Sequence, residues 1–249
     1  MRRFPVRIIG HRGAPRLAPE NTLASFRAAL AAGADGIELD VHLSRDGRPV
    51  VIHDPTLDRT TDGSGFVRAM TVAELKRFDA GSWFDGRFRG ERIPLLEEVF
   101  ETVSPGVLID VEAKQSYGGE MERALAACLD EWAGVHDVIV SSFDHRLLCR
   151  LKRLRPETDV GLLYAVRPVT HMILAACMDG DVRSFHPDHV WLTAEDAAEM
   201  RASGYEVYPY TANRPVEWRR LIRMGVSGII TDDPGGLAVW MQRFVFDEA

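Results

Sequence analysis

The chain is 249 residues long, enough for one large α/β domain or two small ones, with 46% hydrophobic and 27% charged residues as in ordinary soluble globular proteins. A formal net charge of −7 argues against general nucleic-acid binding, which favours basic surfaces. It leaves room for an anionic ligand, because a few placed cations override the net sign locally.

Met1-Arg2-Arg3 imitates the charged start of a secretion signal, yet Pro5, Arg7 and His11 leave no adequate apolar segment behind it. Cys128, Cys149 and Cys177 are widely spaced and form no C-x-x-C pair, so neither a disulfide framework nor a zinc site is expected. No apolar stretch approaches membrane-spanning length. The expectation is a cytoplasmic protein with no stable membrane association; nothing in the sequence specifies its oligomeric state.

The first predicted strand, 6–10, runs directly into His11-Arg12-Gly13, a polar group that a plain core strand would gain nothing from burying. A helix over 21–32 follows, with Asn21 as its expected cap and Glu20 as a partner for the arginine at the rim. Strand 36–41 carries Glu38 and Asp40, and a third strand, 50–53, ends in His53-Asp54. The intervening residues 42–48 are expected to carry the chain back through the Asp46-Gly47 turn, so that Asp40 and His53 lie at one end of parallel strands. Residues 54–92 break the pattern with Gly-rich text around Trp83, Phe84 and Phe88, which predicts a small folded cap inserted at the barrel mouth.

Beyond it, strands at 107–112, 138–142, 160–163, 205–210 and 228–231 alternate with helices at 95–103, 119–131, 145–154, 194–203 and 215–224. "SFHPDHVWL" at 184–192 is ambiguous, and counting it would give nine strands. Runs such as "VLIDVE" are apolar almost throughout, as expected of parallel strands covered by helices. About eight βα units in roughly 250 residues predict a TIM (β/α)8 barrel, with 1–249 as a single domain. An open Rossmann-type sheet ranks below it, because no G-x-G-x-x-G turn follows the first strand.

In such a barrel, functional groups gather at the C-terminal strand ends. Residues i and i+2 share a face about 6.6 Å apart, so Glu38 pairs with Asp40 and Glu112 with Lys114. Three converging carboxylates repel unless compensated, and all-oxygen ligation selects a hard cation such as Mg²⁺ or Ca²⁺. Neutralisation by Arg12 and Lys114 alone is the second reading, and spacing leaves both open. His11 and His53 on one rim suit a general acid and base, while Arg12 and Lys114 suit a phosphate. The other histidines carry blander expectations: His136, His145 and His171 solvated, His42 turned away from Asp40, His186 and His189 near the mouth. Together the rim describes metal-assisted phosphodiester hydrolysis.

"HRG" at 11–13, "PENT" at 19–22, "ELD" at 38–40, "HD" at 53–54, "VEAK" at 111–114, "SSFD" at 141–144 and "TDDP" at 231–234 occur in order across the chain. This set resembles the glycerophosphodiester phosphodiesterase family, and "DAGSWF…GERIP" resembles that family's insertion. The resemblance implies His11 and His53 as the acid/base pair, and Glu38, Asp40 and Glu112 as ligands of one divalent cation, Mg²⁺ or Ca²⁺. Arg12 and Lys114 would hold the phosphate of a small glycerophosphodiester, cleaved to glycerol 3-phosphate and an alcohol. Attack by the glycerol 2-hydroxyl, giving a cyclic phosphate, and direct attack by water both stay open.

Tyr210 stands where the family usually has tryptophan; with Trp83 and Phe84 it is expected to bound the pocket for the leaving alcohol, its phenol free to bond the ligand. A phospholipase D-like or lysophospholipase D activity would instead need an exposed apolar collar. A non-enzymatic phosphodiester-binding protein would need Arg12 and Lys114 but not both histidines and all three carboxylates.

Overall fold

The computed structural model describes residues 6–132 and 134–247, with side chains as far as 243. Met1, Arg2 and Arg3, on which the signal-segment reading rests, lie outside the described residues.

Eight parallel strands form the barrel: β1 (Arg7–Gly10), β2 (Gly36–Leu43), β4 (Leu108–Ala113), β5 (Asp137–Ser142), β6 (Val160–Tyr164), β7 (Ser184–Pro187), β8 (Glu206–Val207) and β9 (Gly228–Thr231). β3 (Pro49–Val51) stands outside this ring. Closure comes from Ser227 N donating to Val207 O at 2.9 Å and Ile230 N to Pro209 O at 3.1 Å. The helices are α1 (Leu23–Ala31), α2 (Val72–Leu75), α3 (Leu96–Thr102), α4 (Glu120–Glu131), α5 (His145–Leu154), α6 (Met172–Ala176), α7 (Ala194–Ala202), α8 (Pro215–Arg223) and α9 (Pro234–Asp247). None of them, among the described residues, is long and apolar enough to cross a membrane.

Each barrel strand is buried on two faces, which is why its text is apolar throughout. Outward side chains such as Ile37, Leu39, Val111 and Phe185 join the helices in the larger core. Inward, Ile9, Leu108, Ile139, Tyr208 and Ile230 plug the barrel. Further along the same inward faces the residues turn polar, and the register decides who meets whom. β2 and β4 pair Glu38 with Asp110 and Asp40 with Glu112; β4 and β5 pair Glu112 with Ser141.

Two strand expectations are corrected. The 50–53 segment is not a barrel strand: β3 runs antiparallel to β2, with Val41 opposite Val51 and Leu43 opposite Pro49. Ser44 N donates to Arg48 O at 3.0 Å, and Gly47 takes φ +77°, closing a tight turn that reverses the chain at once. His53 still reaches the C-terminal rim, because the chain turns across it after β3. The place in the barrel goes to β7, inside the ambiguous "SFHPDHVWL", whose polar Ser184 and His186 are both fully buried.

Residues after β3 form a small layer, in which Ile52, Leu57, Val67, Leu75, Ala80 and Ile93 make a separate apolar cluster with Val50 of β3. Arg87 Nη2 donates to Leu17 O at 3.1 Å, tying this layer to the loop after β1.

Because β7 is a core strand, Phe185→Ala should lower unfolding free energy by about 3–5 kcal/mol in urea, the usual cost of emptying an aromatic core site. A loss below about 1 kcal/mol would return this segment to the surface.

Candidate active site

The first strand's polar end is held in an unusual backbone shape. Arg12 takes φ +50°, in the left-handed region that a branched or long side chain rarely adopts. Its N–H donates to Glu38 Oε2 at 2.9 Å, and its carbonyl accepts from Ser25 Oγ at 2.9 Å and Asn21 N at 3.1 Å. Gly13 follows at φ +88°, where a Cβ would lie 2.4 Å from Ser25 Oγ. A glycine is required there.

Held in this way, Arg12 turns its guanidinium inward. Nε lies 3.2 Å from Asp40 Oδ2, and Nη1 donates to Glu20 Oε1 at 2.9 Å. Lys114 Nζ sits between Asp40 Oδ1, at 3.2 Å, and Glu112 Oε1, at 2.6 Å. Glu38, Asp40 and Glu112 are all buried, and one oxygen of each lies within 4.8 Å of the others. Two cations therefore face three carboxylates.

The protonation equilibria record the imbalance. Burial alone would raise Asp40, but Lys114 and Arg12 at its oxygens hold it far below the usual carboxylate range. Burial, and then the charge of Asp40, push Glu112 up to about 7. Burial, with Asp40 and Glu112 adding to it, raises Glu38 well above its ordinary value. An all-oxygen, electron-rich and undercompensated trio fits a hard divalent cation.

The two histidines are anchored alike. His11 Nδ1 lies 2.6 Å from Asp232 Oδ1, and Asn213 Nδ2 donates to Asp232 Oδ2 at 2.6 Å. His53 Nδ1 lies 2.6 Å from Asp54 Oδ1. A carboxylate only accepts, so each neutral ring carries its proton on Nδ1 and keeps its lone pair on Nε2. Burial lowers His53 below the usual imidazole range, outweighing the opposing pull of Asp40 and Asp54.

Several of these side chains border one cleft of about 230 Å³. His11, Arg12, Glu38, His53, Glu112 and Lys114 form its polar wall; Phe143, Leu163, Tyr210 and Ile230 form an apolar one. Tyr210 reaches the cleft, but its hydroxyl donates to Tyr164 O at 3.2 Å, so the ring and not the phenol is on offer. Phe143 packs edge-on against it, with centroids 6.1 Å apart. Trp83 and Phe84 are not among the lining residues; they pack edge-to-face with each other, Phe84 does the same with Phe88, and Trp83 Nε1 donates to Ala80 O.

Other expectations change too. The cap of α1 is Thr22, whose side chain accepts from Ser25 N, while Asn21 Nδ2 donates to Asp40 Oδ2 at 2.7 Å. His42 is buried and bonds from Nε2 to the His53 carbonyl, with Nδ1 2.5 Å from Tyr117 Oη. His186 lies fully buried beneath the cleft, 3.0 Å from Asp110 Oδ2. His171 is buried against Tyr164, while His136 and His145 bond to the carbonyls of Phe100 and Leu163. None of these three is simply solvated.

Residues 11–236 match the model of the glycerophosphoryl diester phosphodiesterase family. A glycerophosphodiester phosphodiesterase of Caldanaerobacter subterraneus subsp. tengcongensis is 42% identical over 231 residues, covering 91% of this chain and 94% of that protein. One of Bacillus subtilis is 33% identical, covering 91% and 83%. Among solved structures, an Oleispira antarctica phosphodiesterase in complex with the product sn-glycerol-3-phosphate superposes with a TM-score of 0.87 at 31% identity, covering 95% and 96%. A glycerophosphodiester phosphodiesterase from Agrobacterium tumefaciens gives 0.80 at 31%, covering 94% and 99%.

Asn21→Asp distinguishes the two roles open to this residue. As a cap, aspartate would serve as well as asparagine, and it tolerates the φ of +56° found here. Facing buried Asp40, a second carboxylate should instead cost about 3 kcal/mol or more at neutral pH, read by urea unfolding. Unchanged stability would contradict the Asn21–Asp40 contact.

Proposed function

The chain belongs to the glycerophosphodiester phosphodiesterase family and is a phosphoric diester hydrolase; from that premise we propose a metal-dependent cleavage of glycerophosphodiesters to glycerol 3-phosphate and an alcohol. The observation that carries this reading is the pair of imidazoles, each tied through Nδ1 to a carboxylate, on a cleft beside a buried carboxylate trio and two cations.

Glu38, Asp40 and Glu112 are the residues that would hold one divalent cation, Mg²⁺ or Ca²⁺. Bound there, such an ion supplies positive charge to a phosphoryl oxygen. Arg12 and Lys114, both kept charged by the surrounding carboxylates, orient the phosphate. The histidines divide the proton work. One imidazole accepts a proton from the nucleophile, water or the glycerol 2-hydroxyl, through Nε2, while the other, as imidazolium, delivers a proton to the departing alkoxide; with the 2-hydroxyl as nucleophile, water then opens the cyclic phosphate with the two roles exchanged. The P–O bond to the alcohol breaks as the new P–O bond forms, and protons balance across the pair. Burial lowers His53 and so favours its neutral form, which suits the accepting role. The apolar wall of Phe143, Leu163 and Tyr210 bounds the carbon-bearing parts of the substrate. The layer at 54–92 acts as a cap over this side of the barrel, and Trp83 and Phe84 serve it from outside the cleft lining.

A second reading, lysophospholipase D activity, draws on one observation. Phe143, Val166, Val169 and Trp191, in the loops after β5, β6 and β7, are exposed as a lipid collar would be. The net charge of −7 supports a small-molecule substrate over nucleic acid. Three free cysteines accord with a cytoplasmic setting.

His11→Ala and His53→Ala should each lower kcat on glycerophosphocholine by at least about 10²-fold, read by coupled detection of glycerol 3-phosphate. Near-wild-type turnover in either variant would remove that residue from proton transfer. Release of choline from lysophosphatidylcholine faster than from glycerophosphocholine would favour the second reading.

A further inference from the structure

Arg59 lies in the layer after β3 and has no place in the chemistry above, yet its guanidinium joins two elements of the site. Nε donates to Asp54 Oδ2 at 2.7 Å and Nη2 to Asp54 Oδ1 at 3.0 Å. Nη1 and Nη2 also donate to Glu20 Oε2 and Oε1, each at 2.8 Å. Each carboxylate serves a different side chain: Asp54 holds His53, and Glu20 holds Arg12.

We propose that Arg59 is a positioning residue for the hydrolysis, clamping the Asp54 carboxylate so that His53 stays in its Nδ1–H form with Nε2 turned to the cleft. The proposal rests on the proton-transfer reading of His53 and goes beyond it by naming what fixes that ring. Its physical basis is a difference in redundancy. Arg12 keeps its contacts with Asp40 and Glu38 whether or not Glu20 is held by Arg59. The hydrogen bonds described for Asp54's side chain come from His53 and Arg59 alone. Without the guanidinium fork, that carboxylate is steered by nothing except the ring it is meant to steer. A planar fork fixes both oxygens at once, which a point charge does not.

The other histidine uses a different device for the same end. Asp232 is set by Asn213, whose Nδ2 donates to Oδ2 and whose Oδ1 accepts from the Asp232 N–H at 2.8 Å. That clamp lies inside the barrel's own loops. The clamp on His53 comes from the layer after β3, which makes that layer part of the catalytic geometry and not only a cover.

The test uses Arg59→Ala and Arg59→Lys in the full chain, with His53→Ala beside them. Both Arg59 variants should lower kcat about 10- to 100-fold, the usual effect of removing a residue that orients a catalytic ligand, while KM changes little. Imidazole ¹⁵N spectra should show His53 as Nδ1–H in the wild type and as a tautomer mixture in Arg59→Ala. Arg59→Lys keeps a charge but loses the fork, so it carries the same kinetic expectation if the alanine variant does not fold. A rise in KM with kcat held would assign Arg59 to the Glu20–Arg12 arm and overturn the proposal, as would an unchanged tautomer. If His53→Ala keeps its turnover, the reading of His53 itself fails. If His53→Ala loses turnover while both Arg59 variants keep kcat, only the role of Arg59 falls.

Discussion

Three carboxylates within 4.8 Å of one another, all buried, are the constraint from which the rest of the site follows. At an effective dielectric near 20, each ionised pair at that distance repels by about 3–4 kcal/mol. The barrel register imposes this arrangement: Asp40 and Glu112 are direct neighbours on β2 and β4, and Glu38 lies one pleat below Asp40. Arg12 and Lys114 offset part of the charge. Their own positions depend on it in turn, since the left-handed backbone at Arg12 is pinned by its N–H bond to Glu38. With all three carboxylates ionised, one negative charge is left uncompensated beside the cleft, and the proposed cation site rests on it.

Much of this was legible in the sequence, and for one reason. In a parallel barrel the strand text is apolar except where it reaches the rim, so polar residues at i and i+2 near a strand's end mark the functional side. That logic brought His11, Arg12, Glu38, Asp40, Glu112 and Lys114 to one place; the structure sets all but Asp40 on the cleft, with Asp40 buried against Arg12, Lys114 and the other two carboxylates. It misread β3, because "VVIHD" has the composition of a barrel strand while its direction is set by the turn at 44–48. It underrated β7 for the opposite reason: Ser184 and His186 interrupt the apolar run, but they face a buried polar network with Asp110.

The groups that orient the histidines were harder to read. Asp232 lies 221 residues from His11, and nothing local in "TDDP" distinguishes the residue that turns toward the imidazole. Arg59 sits in a Thr- and Asp-rich stretch that composition describes only as loop. Aromatic content misled for a related reason. Trp83 and Phe84 in Gly-rich text suggested a pocket wall, yet their rings meet each other, and Phe84 meets Phe88, outside the cleft lining. The apolar wall is instead formed by the expected Tyr210 together with Phe143 from "SSFD" and Leu163 and Ile230 from ordinary strands.

Calorimetric titration of metal-free protein with Mg²⁺ and with Ca²⁺ tests the central claim most directly. One ion should bind per chain, and Glu38→Gln or Asp40→Asn should abolish the binding. Because burial and the charge of Asp40 push Glu112 up to about 7, and burial with mutual repulsion raises Glu38 as well, binding should release protons, seen as heat that varies with the buffer's ionisation enthalpy. Absence of binding by either ion, or binding that survives both substitutions, would show that Arg12 and Lys114 alone balance the carboxylates.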